Sequence, residues 1–135
     1  MAINDLPVLS ALRTKMQWHQ ARQSVLSENV SNSDTPNFKA RDLIEPKFDA
    51  NGASTGPSTA LAMVRTSSGH LAPSTGSGQS FEPDRHVMFQ STPTGNAVDL
   101  EDEMLKVASN QMDYAAVTSL YSKSLHVLKV AIGKA

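Results

Sequence analysis

Residues 99–132 read DLEDEMLKVASNQMDYAAVTSLYSKSLHVLKVAI, and their larger side chains recur at alternating intervals of four and three. This heptad spacing predicts one long helix whose stripe must lie against another helix. At 1.5 Å per residue the helix would be about 50 Å long. A helix of this length cannot bury its own stripe, so it needs a partner. The residues of this C-terminal stripe are Leu100, Met104, Val107, Gln111, Tyr114, Thr118, Tyr121, Leu125, Leu128 and Ile132.

The same helix has predicted start and stop signals. Asp99 is a favoured N-cap, and the acidic residues 101–103 place negative charge at the positive end of the helix dipole. Lys129 and Gly133 suit the opposite end. The acidic residues are also the types that hold metals or act in acid–base catalysis, but a helix start explains them fully.

A second stripe with heptad spacing lies near the start of the chain. It predicts a helix from Leu6 to Ser31, with Asp5 as the N-cap and Pro7 in the first turn. Asn32 suits the left-handed residue that often closes a helix. The residues of this N-terminal stripe are Leu9, Leu12, Met16, His19, Gln23, Leu26 and Val30.

Polar residues interrupt both stripes, at His19 and Gln23 in the first and at Gln111 and Thr118 in the second. Such residues weaken a dry core but fix the register of paired helices. For His19 we favour a hydrogen-bonded or half-exposed residue of the helix interface over a ligand or a pH switch. Trp18 either flanks the core or is exposed as an interface anchor.

Between the two helices the composition changes. Residues 39–98 hold too little apolar material to fold alone, and part of the segment is expected to order only on meeting a partner. The predicted features are an extended stretch at 40–48, Gly, Ser, Thr and Pro linkers at 51–59 and 73–80, and short strands at 61–66 and 85–90.

These features predict a mainly α fold, in which the N- and C-terminal helices pair as an antiparallel coiled-coil-like hairpin around a small irregular or β middle segment. The predicted regions are residues 1–38 (helix and turn, assembly), 39–98 (middle segment) and 99–135 (helix, assembly). A lone two-helix hairpin has little burial to offset its ordering entropy, so we expect a marginally stable monomer that consolidates on assembly.

The composition argues against several classes of function. The 135 residues carry a net charge of −1, so the sequence lacks the basic face that would predict a nucleic-acid partner. It also lacks an apolar run long enough to predict membrane insertion. Nucleotide-binding and catalytic motifs are absent from the sequence, and the four histidines lack metal-ligand spacing. We therefore expect no enzyme activity, cofactor or metal. The start of the chain has no secretory signal pattern, which predicts a cytoplasmic protein unless export needs no cleaved signal.

Residues 26–42, LSENVSNSDTPNFKARD, resemble the signature of the bacterial flagellar axial proteins, which form the rod, the hook and the hook-associated structures. Most of that group have glycine where this chain has Asn37. This departure and the Lys-Ala-Arg-Asp run at 39–42 are similar to the proximal-rod subclass of basal-body rod proteins, as are residues 95–104, GNAVDLEDEM. The motif residues are Asn29, Asn32, Asp34, Thr35, Pro36, Asn37 and Phe38. Among them, Pro36 and Asn37 are predicted at the second and third positions of a turn.

The resemblance implies a structural subunit whose paired helices form an inner tube and whose middle segment lies outside it. Implied partners are further copies of the chain, other flagellar rod proteins, the rod-base adaptor, the membrane-ring protein and the flagellar type III export apparatus. That export route needs no cleaved signal, so the resemblance places the protein in the periplasmic rod of the flagellar basal body. The alternative interpretation is a soluble helical-hairpin adaptor or a flagellar export chaperone.

Overall fold

The computed structural model describes residues 6–49, 81–84 and 95–133. The elements in chain order are helix α1 (Pro7–Ser31), strand β1 (Asp42–Leu43), strand β2 (Pro83–Asp84) and helix α2 (Leu100–Ala131). The two helices pack against each other, and their contacts run in opposite directions along the chain, because Asn29 meets Glu103 while His19 meets Asn110. The mainly α fold with paired terminal helices is therefore confirmed.

The start of α1 differs from the prediction by one residue. Leu6 is the N-cap, in extended conformation and without a side-chain cap hydrogen bond, so the prediction of Asp5 as the N-cap is wrong. The reason is Pro7 at the first helical position, since a residue before proline is held extended. At the other end Asn32 is the C-cap with φ −104°, not the predicted left-handed conformation. Its side chain instead donates to the Glu28 carbonyl at 2.8 Å.

The ends of α2 agree with the sequence signals. The Asp99 carboxylate accepts a hydrogen bond from the Glu101 amide at 3.0 Å, which confirms Asp99 as the N-cap. Gly133 follows the helix with φ +79°, a backbone conformation that glycine adopts without steric cost. The acidic residues 101–103 occupy the first turn, where the helix dipole favours them.

The strands form one short antiparallel pair, with Asp42 opposite Asp84 and Leu43 opposite Pro83. The Ile44 amide extends the pairing by donating to the Glu82 carbonyl at 2.9 Å. β1 falls within the extended stretch predicted at 40–48, whereas β2 was not predicted. The strands predicted at 61–66 and 85–90 lie outside the described residues.

The chain leaves α1 through a turn over residues 35–38. The Phe38 amide donates to the Thr35 carbonyl at 3.3 Å, and Asn37 has φ +59°, which confirms Pro36 and Asn37 at the two central turn positions. The turn docks on the segment before α2, where the Ala97 amide donates to the Phe38 carbonyl at 3.1 Å. The Asn96 side chain donates to the Ser33 carbonyl beside it.

Gly95 allows this docking, and its replacement tests it. Gly95 has φ +78°, and a methyl group there would lie 2.4 Å from Oδ1 of Asn37; Gly133 has nearly the same φ but open space around it. Alanine in this conformation costs about 1–2 kcal/mol. We expect Gly95→Ala to lower the free energy of unfolding by more than Gly133→Ala, measured by urea denaturation with circular dichroism. Equal losses would contradict the docked turn.

Candidate assembly interface

α1 and α2 meet along what we call the helix interface, the set of residues that each helix buries against the other and against the turn. On α2 the buried residues are spaced by seven, which keeps them on one face of the helix. Those on α1 are Leu9, Trp18, His19, Leu26 and Asn29. Those on α2 are Glu103, Asn110 and Val117.

The predicted stripe of α2 only partly coincides with this interface. The fully buried residues of α2 lie one position before the predicted Met104, Gln111 and Thr118. The half-buried members of the predicted stripe are Val107, Tyr114, Thr118, Tyr121, Leu125 and Leu128. The exposed members are Leu100, Met104, Gln111 and Ile132. The role of these residues in assembly stays a prediction.

The predicted stripe of α1 follows the interface more closely. Leu9, His19 and Leu26 are buried, and Trp18 beside them is only 3% exposed, which confirms that it flanks the core. The half-buried members are Leu12, Met16, Gln23 and Val30.

The centre of the interface is a polar layer formed by His19, Gln23 and Asn110. The Asn110 amide nitrogen donates to the His19 carbonyl at 3.0 Å and to Oε1 of Gln23 at 2.9 Å. Its oxygen therefore faces Nδ1 of His19 at 2.8 Å, and as an acceptor it requires the proton on that nitrogen. Asn110 thus ties two turns of α1 to one position of α2, which fixes the axial register of the two helices.

A second polar cluster closes the interface near the turn. Asn29, which has no exposed surface, donates from its side-chain nitrogen to Oε2 of Glu103 at 2.8 Å and to the Arg41 carbonyl at 2.7 Å. Its oxygen accepts from the Arg41 amide at 3.0 Å. Lys106 balances the buried Glu103 carboxylate, with its Nζ 2.7 Å from Oε1. One asparagine therefore joins α1, α2 and the chain after the turn.

Ion pairs hold β1 along the side of α1. Arg22 donates to both carboxylate oxygens of Asp42, each at 2.8 Å, and its guanidinium lies 5.2 Å from the centre of the Trp18 ring. Farther along, Lys15 and Glu45 form a more exposed pair at 3.0 Å. The contacts place the strand against α1, and the Arg22 side chain that binds it lies over the indole of Trp18.

The remaining motif residues shape the turn. Oγ1 of Thr35 donates to Oδ1 of Asn32 at 3.1 Å, and the Thr35 amide donates to the Asn32 carbonyl at 3.0 Å. Asp34, Thr35, Pro36 and Asn37 are exposed, and Phe38 is half-buried. Across residues 6–49, 81–84 and 95–133, no three His, Asp or Glu side chains come together as metal ligands. Neither α1 nor α2 is long and apolar enough to span a bilayer.

Sequence reasoning missed Glu103 and Asn110 as interface residues because the apolar residues Met104 and Val107 set the predicted heptad pattern, which puts residues 104 and 111 in the stripe instead of 103 and 110. Their seven-residue spacing, continued by Val117, was the available signal. The Arg22–Asp42 pair joins residues 20 apart across a turn, and no local pattern marks such a contact.

Removal of the Asn110 side chain is the direct test of the polar layer. Asn110→Ala leaves the buried N–H of His19 without its partner, which costs about 1–3 kcal/mol in the free energy of unfolding. The exposed neighbour Ser109→Ala serves as the control and should change it by less than about 0.5 kcal/mol. The double variant with leucine at positions 19 and 110 should recover part of the loss, because the His19–Asn110 pair is then removed while the half-buried Gln23 can bond to water. Urea denaturation measures all three, and equal stabilities of the alanine variants would contradict the register role.

The Arg22–Asp42 pair predicts a pH dependence. Burial alone would raise the pKa of Asp42, but the hydrogen bonds from Arg22 and the Leu43 amide, with the charge of Arg22, hold the pKa below its ordinary value of 3.8. A lowered folded-state pKa gives stability that is present above the unfolded-state pKa and is lost as the pH falls below about 4. Asp42→Asn should lower stability at pH 7 and weaken this acid-induced loss.

The control for this prediction is Glu45→Gln, which removes the exposed partner of Lys15 and should change stability by less than about 1 kcal/mol. Unfolding free energies of both variants at pH 7 and pH 3 give the comparison. If the two variants behaved alike at both values, Asp42 would have no special part in holding β1.

Comparison with known proteins shows which protein family the chain resembles. A family model described as Flagella basal body rod protein matches residues 9–39. The chain is 35% identical over 112 residues to the flagellar basal body rod protein FlgB of Agrobacterium fabrum, covering 82% of this chain and 80% of that protein. It is 33% identical over 113 residues to FlgB of Proteus mirabilis, covering 81% and 82%. It is 30% identical over 112 residues to FlgB of Bacillus subtilis, covering 82% and 81%.

The match at residues 9–39 covers most of α1 and the docked turn, and it includes most of the first of the two stretches that carried the resemblance, residues 26–42. The similarity to FlgB proteins extends over most of the chain and confirms that resemblance. Proteins of this family are structural rod components and are not known to be enzymes. The chain therefore belongs to the FlgB family of flagellar basal body rod proteins.

Proposed function

We propose that the protein is a structural subunit of the proximal rod, which α1 and α2 assemble into the helical drive shaft of the flagellum. Membership of the FlgB family makes it a component of the basal body rod, in association with other basal body components. The observation that carries the finer proposal is the apolar surface that α2 leaves exposed in the single chain.

This surface is unusual for a helix that has only one partner. More than half of each side chain is exposed at Met104, Leu105, Met112, Leu120, Val127, Val130 and Ile132. Exposed apolar side chains in this number on one helix ordinarily mark a surface that contacts other protein. Burial of such a side chain contributes about 1.5–3 kcal/mol, so these residues supply a strong driving force for association.

The distribution of polar contacts supports the same proposal. The helix interface is held at its centre and at its turn end by buried asparagines, while larger apolar side chains of α2 are exposed. The strands add no cover, because β1 contacts α1 and, within the described part of the chain, does not contact α2. We infer that α2 faces the inside of the rod and that β1 and β2 belong to its outer side.

Family membership supports the remaining parts of the proposal. Neighbouring rod proteins, the rod-base adaptor and the membrane-ring protein are the proposed partners at the base of the rod. The flagellar type III apparatus is the proposed route of export, without cleavage of a signal, to a periplasmic location. The alternative function, a soluble adaptor or an export chaperone, would keep the protein in the cytosol and outside finished basal bodies.

Loss of the terminal helices distinguishes these functions. In a strain that lacks the parent protein, deletion of residues 1–31 or of residues 100–135 should abolish motility and assembly. The unaltered protein should co-purify with basal bodies. Recovery of the unaltered protein only from the cytosol would overturn the proposal in favour of an adaptor or chaperone.

A point variant tests the exposed surface without removing a helix. The double variant Leu120→Lys with Val127→Lys should keep the helical circular dichroism of the parent, because both side chains are exposed in the single chain. Its amount in purified basal bodies should fall about tenfold or more, since charge in an apolar contact costs more than the 1.4 kcal/mol that a tenfold change requires. The control is Ser109→Lys with Ser122→Lys, two exposed polar positions on the same helix. Equal incorporation of the two double variants would show that the apolar surface is not the assembly surface.

A further inference from the structure

An uncharged groove runs between α1 and α2 on the side of the hairpin near the turn. Its volume is ≈ 520 Å³, room for several side chains rather than for a single water, whose share of liquid volume is about 30 Å³. The groove is lined on α1 by Gln23, Ser27 and Val30 and on α2 by Met104, Val107 and Gln111. Because none of these lining residues is charged, the groove suits an apolar occupant.

The heptad pattern indicates that this occupant is a helix. Val107 belongs to the C-terminal stripe and is half-buried towards α1, while Met104 and Gln111 of the same stripe line the groove and are exposed. α2 therefore carries two adjacent seams, one used by α1 and one open. Met104 and Gln111 are seven residues apart, and a helix that packs here meets equivalent positions about every 10.5 Å.

The chain itself presents a matching surface on another face of α2. Leu105 and Met112 are each 69% exposed, the highest fraction among the large apolar side chains of the described residues. They are also seven residues apart, so they project from one face with the same spacing of about 10.5 Å. Residues 108–109, which lie between them on this face, are uncharged, and the acidic residues 101–102 lie one turn before Leu105.

We propose that the groove receives the Leu105 and Met112 side chains of α2 from a second copy of this chain. The groove and these two side chains lie on different faces of the chain. Each copy can therefore receive one neighbour in its groove and insert its own two side chains into the groove of another neighbour. Such a contact repeats into a ring or a helix and does not stop at a dimer. The inference rests on the proposed function and adds to it the residues by which neighbouring copies meet.

Disulfide cross-linking tests the contact cleanly, because the chain contains no cysteine. Val30→Cys on the groove wall and Met112→Cys are made as separate single variants and produced together in a strain that lacks the parent protein. After mild oxidation we expect a species of twice the subunit mass in isolated basal bodies, on a gel without reductant. The band of this cross-linked species should be at least about tenfold weaker when either variant is produced alone. Every copy then carries the same cysteine, and no second cysteine lies within the 4.4–6.8 Å Cα separation that a disulfide needs.

The matched control pairs Val30→Cys with Asp113→Cys, an exposed neighbour rotated by 100° away from Met112. The same pairs mixed as concentrated purified proteins give a second readout that does not depend on export or incorporation. Cross-links of equal strength with the control pair would overturn the proposed contact. If the Val30→Cys and Met112→Cys variants were both present in basal bodies but did not cross-link, the contact would also be overturned, and the proposed function would stand. Absence of the unsubstituted protein from basal bodies would instead refute the proposed function.

Discussion

The buried amides of Asn29 and Asn110 are the contacts on which the rest of the structure depends. Asn110 fixes α2 against two positions of α1, and Asn29 fixes both helices against the chain that follows the turn. Apolar contacts alone tolerate sliding by one heptad, whereas a buried amide that loses its partners costs about 1–3 kcal/mol. The polar contacts therefore set the register, which in turn places the turn against the segment before α2.

The apolar side chains have the complementary role. In an ordinary small domain they fill the core and the polar ones face water, but here Glu103 and Asn110 are buried while Leu105 and Met112 are exposed. The arrangement suits a subunit whose own hydrogen bonds fix the position of its helices and whose apolar side chains are covered by neighbouring subunits. Under the proposed function, burial by neighbouring subunits would offset the low apolar content of 39%.

The two motif regions of the FlgB resemblance form one structural unit. Residues 26–42 supply the end of α1, the turn and the start of the middle segment, and residues 95–104 supply the surface on which that turn docks. Gly95 leaves the space that Asn37 occupies, so the two ends of the chain are matched to each other. The ion pair between Arg22 and Asp42 then holds β1 along α1, and within the described residues β1 makes no contact with α2.

The sequence by itself determined both helices, their antiparallel pairing, the N-cap Asp99, the turn at Pro36 and Asn37, and the family. These features depend on local backbone preference and on heptad spacing, which adjacent residues reveal. Only the tertiary structure decided which side of α2 faces α1, because that choice depends on hydrogen bonds between residues about 75–90 positions apart, Asn29 with Glu103 and His19 with Asn110. The heptad pattern predicts Met104 and Gln111, and not Glu103 and Asn110, against α1. The structure instead buries Glu103 and Asn110 there, because partners on α1 satisfy their polar groups.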